Sequence, residues 1–143
     1  MEIDKRILSF IEESNVLSYC SCLDNSPHCA SCFYSFCKKE DNIYLVFKSD
    51  ITTKHIQNAL SNTLVAGTIL PNKNKLSSVK GIQFSGIFSK VEEGFSELKN
   101  SYYKSFPFAL TMPGELWAIE LTYIKMTDNS LGFGKKLKWN KAD

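Results

Sequence analysis

The sequence predicts a single α+β domain, mainly β, in which six antiparallel strands close into a barrel with short flanking helices. Two observations support this fold class: six segments have strand chemistry, and short turns join most neighbouring segments. A sheet of this size removes its exposed edges by closing on itself. The length of 143 residues is that of one domain, so residues 1–143 are expected to fold as one unit.

The first third of the chain predicts a short helix followed by a three-stranded meander. Apolar residues in segment 3–11 recur with helical spacing. Strand chemistry then fills 16–23, 28–37 and 43–47, and turn residues separate these segments.

The remaining two-thirds alternate between helices and strands. The predicted elements are, in order, a helix, two strands, a helix and a strand, at 54–60, 64–70, 79–91, 92–105 and 116–126. Gly81 and Gly86 indicate a bulge or a close backbone approach within the long strand. Strict alternation in the last strand puts Trp117 and Tyr123 on the same face.

Composition and charge exclude several function classes. The chain is 43% hydrophobic and 22% charged, with a net charge of +2 spread along its length. A nucleic-acid surface needs a clustered basic stripe, so no nucleic-acid partner is expected. No apolar run reaches the roughly 18 residues that span a bilayer, and the charged N-terminus is unlike a signal peptide. We therefore expect a cytoplasmic protein with no membrane partner.

The five cysteines, Cys20, Cys22, Cys29, Cys32 and Cys37, do not predict a disulfide framework, because their number is odd. The Cys29-x-x-Cys32 spacing is compatible with zinc binding or thiol redox chemistry when it lies on a turn or at a helix start. Here it lies in a predicted strand, where residues three apart face opposite sides. The sequence therefore favours buried strand cysteines and no metal site.

The segment from Ser49 to Lys54 is the first candidate binding site. Thr52 or Thr53 would cap the helix that follows, where free N–H groups and the positive end of the helix dipole attract anions. Two hydroxyls and a lysine at this point predict a phosphate contact. An ordinary threonine cap with a solvated lysine is the commoner outcome of the same spacing.

Two further candidates lie later in the chain. Gln83, flanked by glycines in segment 79–91, can present its amide to a heteroaromatic ring, or it is simply an exposed polar residue. In the tail, Lys135, Lys136 and Trp139 can line the rim of a pocket, or they form a solvated basic tail with one aromatic ring docked on the core.

The chain lacks the motifs of several enzyme classes. There is no G-x-S-x-G motif, no Walker A loop and no dinucleotide fingerprint. His28 and His55 have no obvious acid partner in the sequence. Hydrolase, NTPase and Rossmann functions therefore lack support, and no catalytic residue is assigned.

Several of these segments resemble a known family. The Asp-Asn-Ser-Pro turn at 24–27, the Cys-Phe-Tyr strand at 32–34 and the Ser49–Lys54 segment that opens a helix resemble the FMN-binding split barrels related to pyridoxamine 5′-phosphate oxidase. Val-Ala-Gly-Thr at 65–68, Gly-Ile-Gln-Phe-Ser-Gly at 81–86 and above all segment 124–136 are similar to the YhbP-type branch in particular. The resemblance covers essentially the whole chain.

The resemblance implies a six-stranded antiparallel split β-barrel that forms a homodimer and binds FMN at the dimer interface. It assigns the phosphate contact to Thr52 and Lys54, the strand backbone beside the flavin to Ala30, Ser31 and Cys32, and the contact with the flavin ring to Gln83. The candidate cofactor-binding residues are together Ala30, Ser31, Cys32, Ser49, Thr52, Thr53, Lys54, Gln83, Lys135 and Trp139. The family's phosphate segment has arginine at the position of Thr53, and its pyridoxal-phosphate-binding residues have no match here. Pyridoxamine phosphate oxidation itself is therefore not expected.

Three functions remain open from the sequence. The first is a small FMN-dependent oxidoreductase that passes electrons between a reduced nicotinamide and an unidentified acceptor. The second is a non-enzymatic module that binds or stores heme or flavin. The third is a dimer whose groove serves a protein partner.

Overall fold

The computed structural model describes residues 2–73, 79–132 and 134–143. Within these ranges the chain forms seven β-strands, three α-helices and two short 3₁₀ helices. The strands are β1 (Val16–Leu23), β2 (Ser26–Lys39), β3 (Asn42–Ser49), β4 (Leu64–Ile69), β5 (Lys80–Lys90), β6 (Glu115–Asp128) and β7 (Lys136–Asn140). The α-helices are α1 (Lys5–Glu13), α2 (Lys54–Ser61) and α3 (Ser96–Ser105), and the 3₁₀ helices span Pro107–Thr111 and Asn129–Leu131.

Six of these strands form a closed antiparallel ring. The order β3-β2-β1-β4-β5-β6 is completed by pairing between β3 and β6. This arrangement confirms the predicted six-stranded split barrel. A seventh strand, β7, adds to β6 in the tail, where the sequence predicted no strand.

The ring is uneven because β6 has two different partners along one edge. Residues 115–120 of β6 pair with β3, whereas residues 123–127 pair with β7. The opposite edge of β6 pairs with β5 over nearly its whole length. The barrel is therefore closed over only the first half of β6, and β7 covers the second half.

A bulge divides β6 at the point where its partner changes. Leu121 lies opposite Gly86, and Tyr123 lies opposite the preceding residue of β5, so Thr122 is an extra residue in the ladder. Of the two outcomes predicted for the glycines of β5, Gly86 shows the close approach, since a Cβ atom there would lie 2.7 Å from the oxygen of Glu120, and the extra residue itself lies in β6. The bulge exchanges the inward and outward positions of β6. Leu121 before it and Ile124 after it are three residues apart, yet both are fully buried. The prediction of one continuous alternation was wrong, and Tyr123 lies on the outer face.

The barrel interior is filled by aromatic rings. Phe88 stacks on Trp117 with ring centroids 5.4 Å apart, and Tyr19 and Phe47 lie 5.5 Å apart. The Trp117 indole N–H donates to the backbone oxygen of Ser49 at 2.9 Å, so the buried ring has its polar group satisfied. The core positions predicted from the sequence are all buried, namely Ile7, Ile11, Val65, Ile82, Trp117, Ile119 and Leu121.

Three helices cover the barrel. Helix α1 packs near the start of β1, where Tyr34 donates its hydroxyl to the oxygen of Ile11. Helix α2 packs near the end of β1, where Tyr19 donates to the oxygen of His55. Helix α3 lies against β2 and β3 over a second apolar cluster. None of the helices in the described ranges is both long enough and apolar enough to cross a membrane.

Gly67 lets β4 lie close to the backbone of β1 and to the Phe84 ring of β5. A Cβ atom there would lie 2.2 Å from the oxygen of Ser18 and 2.5 Å from a ring carbon of Phe84. We expect Gly67→Ala to lower the free energy of unfolding by about 3 kcal/mol, because a core overpacked against backbone cannot relax cheaply. Gly94→Ala is the matched control, since nothing lies within 4 Å of its added carbon. Urea denaturation of both variants tests this, and wild-type stability of Gly67→Ala would contradict it.

Candidate functional site

A groove with a volume of ≈ 410 Å³ crosses the outer face of β1, β2, β4, β5 and β6. We call it the outer groove. The outward side chains that line it are Ser18, Cys20, Cys29, Ala66, Thr68, Gln83, Ser85 and Tyr123. Most of these side chains are small, so a ligand in the groove can approach the strand backbones.

The register of the sheet arranges these side chains in straight rows. In one row Ser18 faces Thr68, and Thr68 faces Gln83. In the next row Cys20 faces Ala66, which in turn faces Ser85 and then Tyr123. Alternate residues of the same strands, such as Tyr19 and Phe84, are buried in the barrel. The strands that form the floor of the groove therefore pack against the barrel core on their inner face, and this packing makes the floor rigid.

Gln83 is the main polar group of the groove, and two lysines continue its row. Gln83 lies opposite Lys125 on β6, and Lys125 lies opposite Lys138 on β7. Gln83 is exposed and Lys125 is half-buried. Neither lysine is recognisable as a site residue from the sequence, because their alignment depends on the bulge in β6 and on the unpredicted strand β7.

The tail residues predicted at a pocket rim, Lys135, Lys136 and Trp139, do not line the outer groove. Trp139 is only 5% exposed and belongs to the barrel core. It also lines a different cavity of ≈ 530 Å³, together with Ile3 and Lys38. Lys135 is exposed just before β7, and its backbone oxygen accepts from the N–H of Asp128.

The three residues of β2 predicted to lie beside the flavin do not share one face of the sheet. The hydroxyls of Ser31 and Ser18 hydrogen-bond at 2.7 Å on the outer face. Ala30 and Cys32 have the opposite phase, and burial raises the pKa of the Cys32 thiol to about 12. Only the backbone of these two residues is available to an outer ligand. The prediction that Cys29 and Cys32 face opposite sides is correct, but Cys29 is exposed rather than buried.

The predicted phosphate segment is held together by its own hydrogen bonds. The Asp50 carboxylate accepts from the Thr52 N–H at 2.7 Å and from the Thr52 hydroxyl at 2.6 Å. The Thr53 hydroxyl donates to the backbone oxygen of Asp50 at 2.8 Å. The Thr52 hydroxyl lowers the pKa of Asp50, and the Thr52 N–H adds to this effect, so a negative charge stands before α2. Lys54 is exposed, and this segment is not part of the groove lining.

Ser49 has a partner that the sequence did not predict. Its hydroxyl lies 2.7 Å from the His55 ring nitrogen Nε2, in a hydrogen bond. Burial lowers the pKa of His55, and the charge of His28 lowers it further. The fold thus brings His28 near enough for its charge to influence His55. Within the described ranges, no cluster of three or more His, Cys, Asp or Glu side chains is arranged to hold a metal ion.

Comparison with known proteins gives the family. No family model matches the chain. It is 36% identical over 135 residues to a UPF0306 protein from Yersinia pseudotuberculosis, covering 94% of this chain and 90% of the relative. It is 38% identical over 138 residues to a UPF0306 protein from Cronobacter sakazakii, covering 96% and 94%. The chain belongs to the UPF0306 family.

Solved structures share the fold of this UPF0306 chain at low sequence identity. A heme-binding protein from Mycobacterium smegmatis matches with a TM-score of 0.75 and 10% identity, over 93% of this chain and 55% of that one. An FAD-binding protein from Mesorhizobium loti matches with a TM-score of 0.69 and 13% identity, over 85% and 91%. HutZ, the heme storage protein from Vibrio cholerae, matches with a TM-score of 0.62 and 16% identity, over 85% and 89%.

The stability of this UPF0306 chain should depend on the protonation of His55. Its pKa in the folded state is below the ordinary value of 6.5, so below that pH the unfolded chain binds the proton more readily. We expect the melting temperature to be unaffected by this group above pH 6.5 and to fall as the pH drops below it. His55→Gln should flatten this slope and His28→Gln should flatten it partly. Thermal melts across this pH range test it, and an unchanged slope in His55→Gln would rule out the assignment.

Proposed function

We propose that this chain binds FMN in the outer groove and acts as a small oxidoreductase between a reduced nicotinamide and an acceptor still to be identified. The observation that carries the proposal is the floor of small side chains between Gln83 and Tyr123. Such a floor lets a flat heteroaromatic ring lie against the strand backbones. When bound, a flavin supplies hydride and electron transfer.

The size and chemistry of the groove fit such a ring. Its volume of ≈ 410 Å³ lies within the roughly 300–1,000 Å³ of small-molecule sites. The Gln83 amide offers both a donor and an acceptor, which suits the polar edge of a flavin. The Tyr123 ring forms an apolar border on β6. These residues would fix the position and the orientation of the ring.

Positive charge along the Gln83 row supports the same ligand. Lys125 lies directly opposite Gln83, and Lys138 lies beyond it. A cation near the pyrimidine edge of a flavin tunes its reduction potential. Lys125 is therefore the residue we propose to hold this charge, in place of the tail lysine Lys135 expected from the sequence.

For the phosphate we retain Thr52 and Lys54, on the strength of the family resemblance. The Thr52 hydroxyl already serves Asp50, so Lys54 is the group we expect to contribute most. This segment lies outside the groove of its own chain. The proposal therefore includes a homodimer in which residues of both chains complete each site.

The surface around the groove supports a homodimer through this face. Five exposed apolar side chains share the outward phase of the groove residues and flank it, namely Val16, Phe33, Leu64, Leu70 and Ile87. A contiguous apolar rim around a polar centre is typical of an interaction surface.

The relatives give independent support for a planar ligand. Among proteins of this fold, one is described as FAD-binding, one as heme-binding and one as a heme storage protein. We also propose that the chain belongs to the YhbP-type branch, on the basis of its 124–136 motif.

Heme binding or storage without turnover is the second candidate. The observation that favours it is that two of the proteins sharing this fold are described as a heme-binding and a heme storage protein, and His28 and His55 of this chain offer imidazole, a common axial ligand of heme iron. One His55 nitrogen is engaged by Ser49, which makes His28 the better placed ligand.

The visible absorption spectrum after loading tests the cofactor. We expect purified protein given excess FMN and then desalted to retain oxidised-flavin bands at about one FMN per chain. Protein loaded with hemin in parallel should retain less, and preferential retention of hemin would favour the second candidate. Oxidation of reduced nicotinamide by the loaded protein would then separate turnover from storage.

Variants sharpen the same measurement. Gln83→Ala and Lys125→Glu should each weaken FMN affinity about tenfold, which is about 1.4 kcal/mol. Lys99→Glu on the exposed side of α3 reverses an equal charge away from the groove and should leave affinity unchanged. Full FMN affinity in Lys125→Glu would contradict binding of the ring in the outer groove. Full FMN affinity in Lys54→Glu would contradict the contact between Lys54 and the phosphate.

The dimer is tested by placing a charge on the apolar rim. Leu64 is 69% exposed, so Leu64→Asp should leave the fold intact but desolvate a carboxylate at the proposed interface. We expect it to shift the mass measured by light scattering from dimer to monomer. Phe95→Asp, at an exposed apolar residue outside this face, should remain dimeric. A monomeric wild type would contradict the proposal.

A further inference from the structure

The β1–β2 hairpin fixes which residues meet across its two strands. Asp24 and Asn25 both have positive φ, 52° and 61°, as a two-residue type I′ turn requires. Leu23 and Ser26 close the turn. From this closing pair the register runs without interruption, so that Cys20 lies directly opposite Cys29.

Cys20 and Cys29 form a non-hydrogen-bonded pair, the type of cross-strand pair in which side chains come closest. Hydrogen-bonded and non-hydrogen-bonded pairs alternate along an antiparallel ladder. Pro27 has no N–H, so its pair with Cys22 is non-hydrogen-bonded, and the Cys20–Cys29 pair two residues further has the same type. The next such pair, Ser18 and Ser31, has hydroxyls only 2.7 Å apart.

The expected separation suits a disulfide. Non-hydrogen-bonded pairs have Cα atoms about 4.5 Å apart, which falls within the roughly 4.4–6.8 Å that disulfides span. A hydrogen bond with the Cys20 thiol is also the main cause that raises the pKa of Cys29. The register thus places the two thiols side by side in the reduced protein, and Cys29 is exposed to solvent.

We infer that Cys20 and Cys29 form a reversible disulfide, which makes this hairpin a two-electron redox site that reacts with low-molecular-weight disulfides. One protein thiolate attacks the small disulfide, forms a mixed disulfide and releases one small thiol. The second protein thiol then attacks the mixed disulfide and releases the other small thiol. The protein loses two hydrogen atoms and the small disulfide gains them.

The other three cysteines lack such a partner. Cys22 faces Pro27, and Cys37 faces Tyr44. Cys32 faces Leu17 and has the inward phase. Among the five cysteines, all of which the structure describes, the register therefore selects a single pair.

The site is independent of the cofactor proposed above, because the hairpin alone brings the thiols together. It nevertheless has a consequence for any ligand, since both cysteines line the outer groove. Oxidation replaces two thiol donors by a disulfide that donates no hydrogen bond, and it cross-links the two strands that form this side of the groove.

The experiment equilibrates the full chain in buffers of 2-mercaptoethanol and hydroxyethyl disulfide, then alkylates remaining thiols and maps the peptides by mass spectrometry. Trypsin cannot separate the pair, because there is no lysine or arginine between Arg6 and Lys38. Cleavage before Asp24 separates Cys20 from Cys29. We expect these two fragments to stay linked, with loss of two hydrogen atoms, and to separate again in excess 2-mercaptoethanol.

Matched serine variants identify the sulfurs. Cys22→Ser and Cys32→Ser should keep the linkage, whereas Cys29→Ser should stop at a mixed disulfide on Cys20. The inference is overturned if no linkage forms, if it survives in Cys29→Ser, or if Cys22→Ser abolishes it. A linkage found only between two chains, as judged by mass before cleavage, would overturn it as well.

Discussion

One extra residue in β6 controls most of what is distinctive in this structure. Thr122 is unpaired between Leu121 and Tyr123, and a single added residue exchanges the two faces of a strand. Before the bulge β6 closes the ring against β3; after it, the same edge pairs with β7. The bulge therefore lets one strand complete the barrel and also turns Tyr123 and Lys125 toward the outer groove.

The barrel wall is a single sheet. Alternate residues of each strand therefore face either the core, where they contribute to stability, or the outer groove, where they can contact a ligand. Along β5, Phe84 and Phe88 point into the aromatic core, whereas Gln83, just before Phe84, lies on the groove side. Small side chains on the outer face leave the strand backbones within reach of a ligand, and Gly67 on β4 leaves room for the Phe84 ring on the inner face. The packed core in turn fixes the floor of the groove, which lowers the entropic cost of ordering the site on binding.

Polar contacts join the barrel to the start of α2. The Trp117 indole donates to the oxygen of Ser49, and the Ser49 hydroxyl pairs with the ring of His55. Asp50 organises the next turn through Thr52 and carries a negative charge there. The segment that resembles a phosphate loop is thus held together by its own hydrogen bonds, and Lys54 is its cationic group. Because this segment is not part of the groove lining of its own chain, the proposed phosphate contact requires a second chain.

Local patterns in the sequence determined the first six strands, the helices, the close approach at Gly86 and the core positions, because periodicity and turn residues act over a few neighbours. β1 was predicted with the bounds that the structure shows, and the core from Ile7 to Leu121 was correct. Strand β7, the outward turn of Tyr123, the alignment of Gln83 with Lys125 and the pairs Cys20–Cys29 and Ser49–His55 were decided only by the tertiary structure. Each depends on the register between distant segments, and register is set by how the whole ring closes around its core rather than by any residue's immediate neighbours.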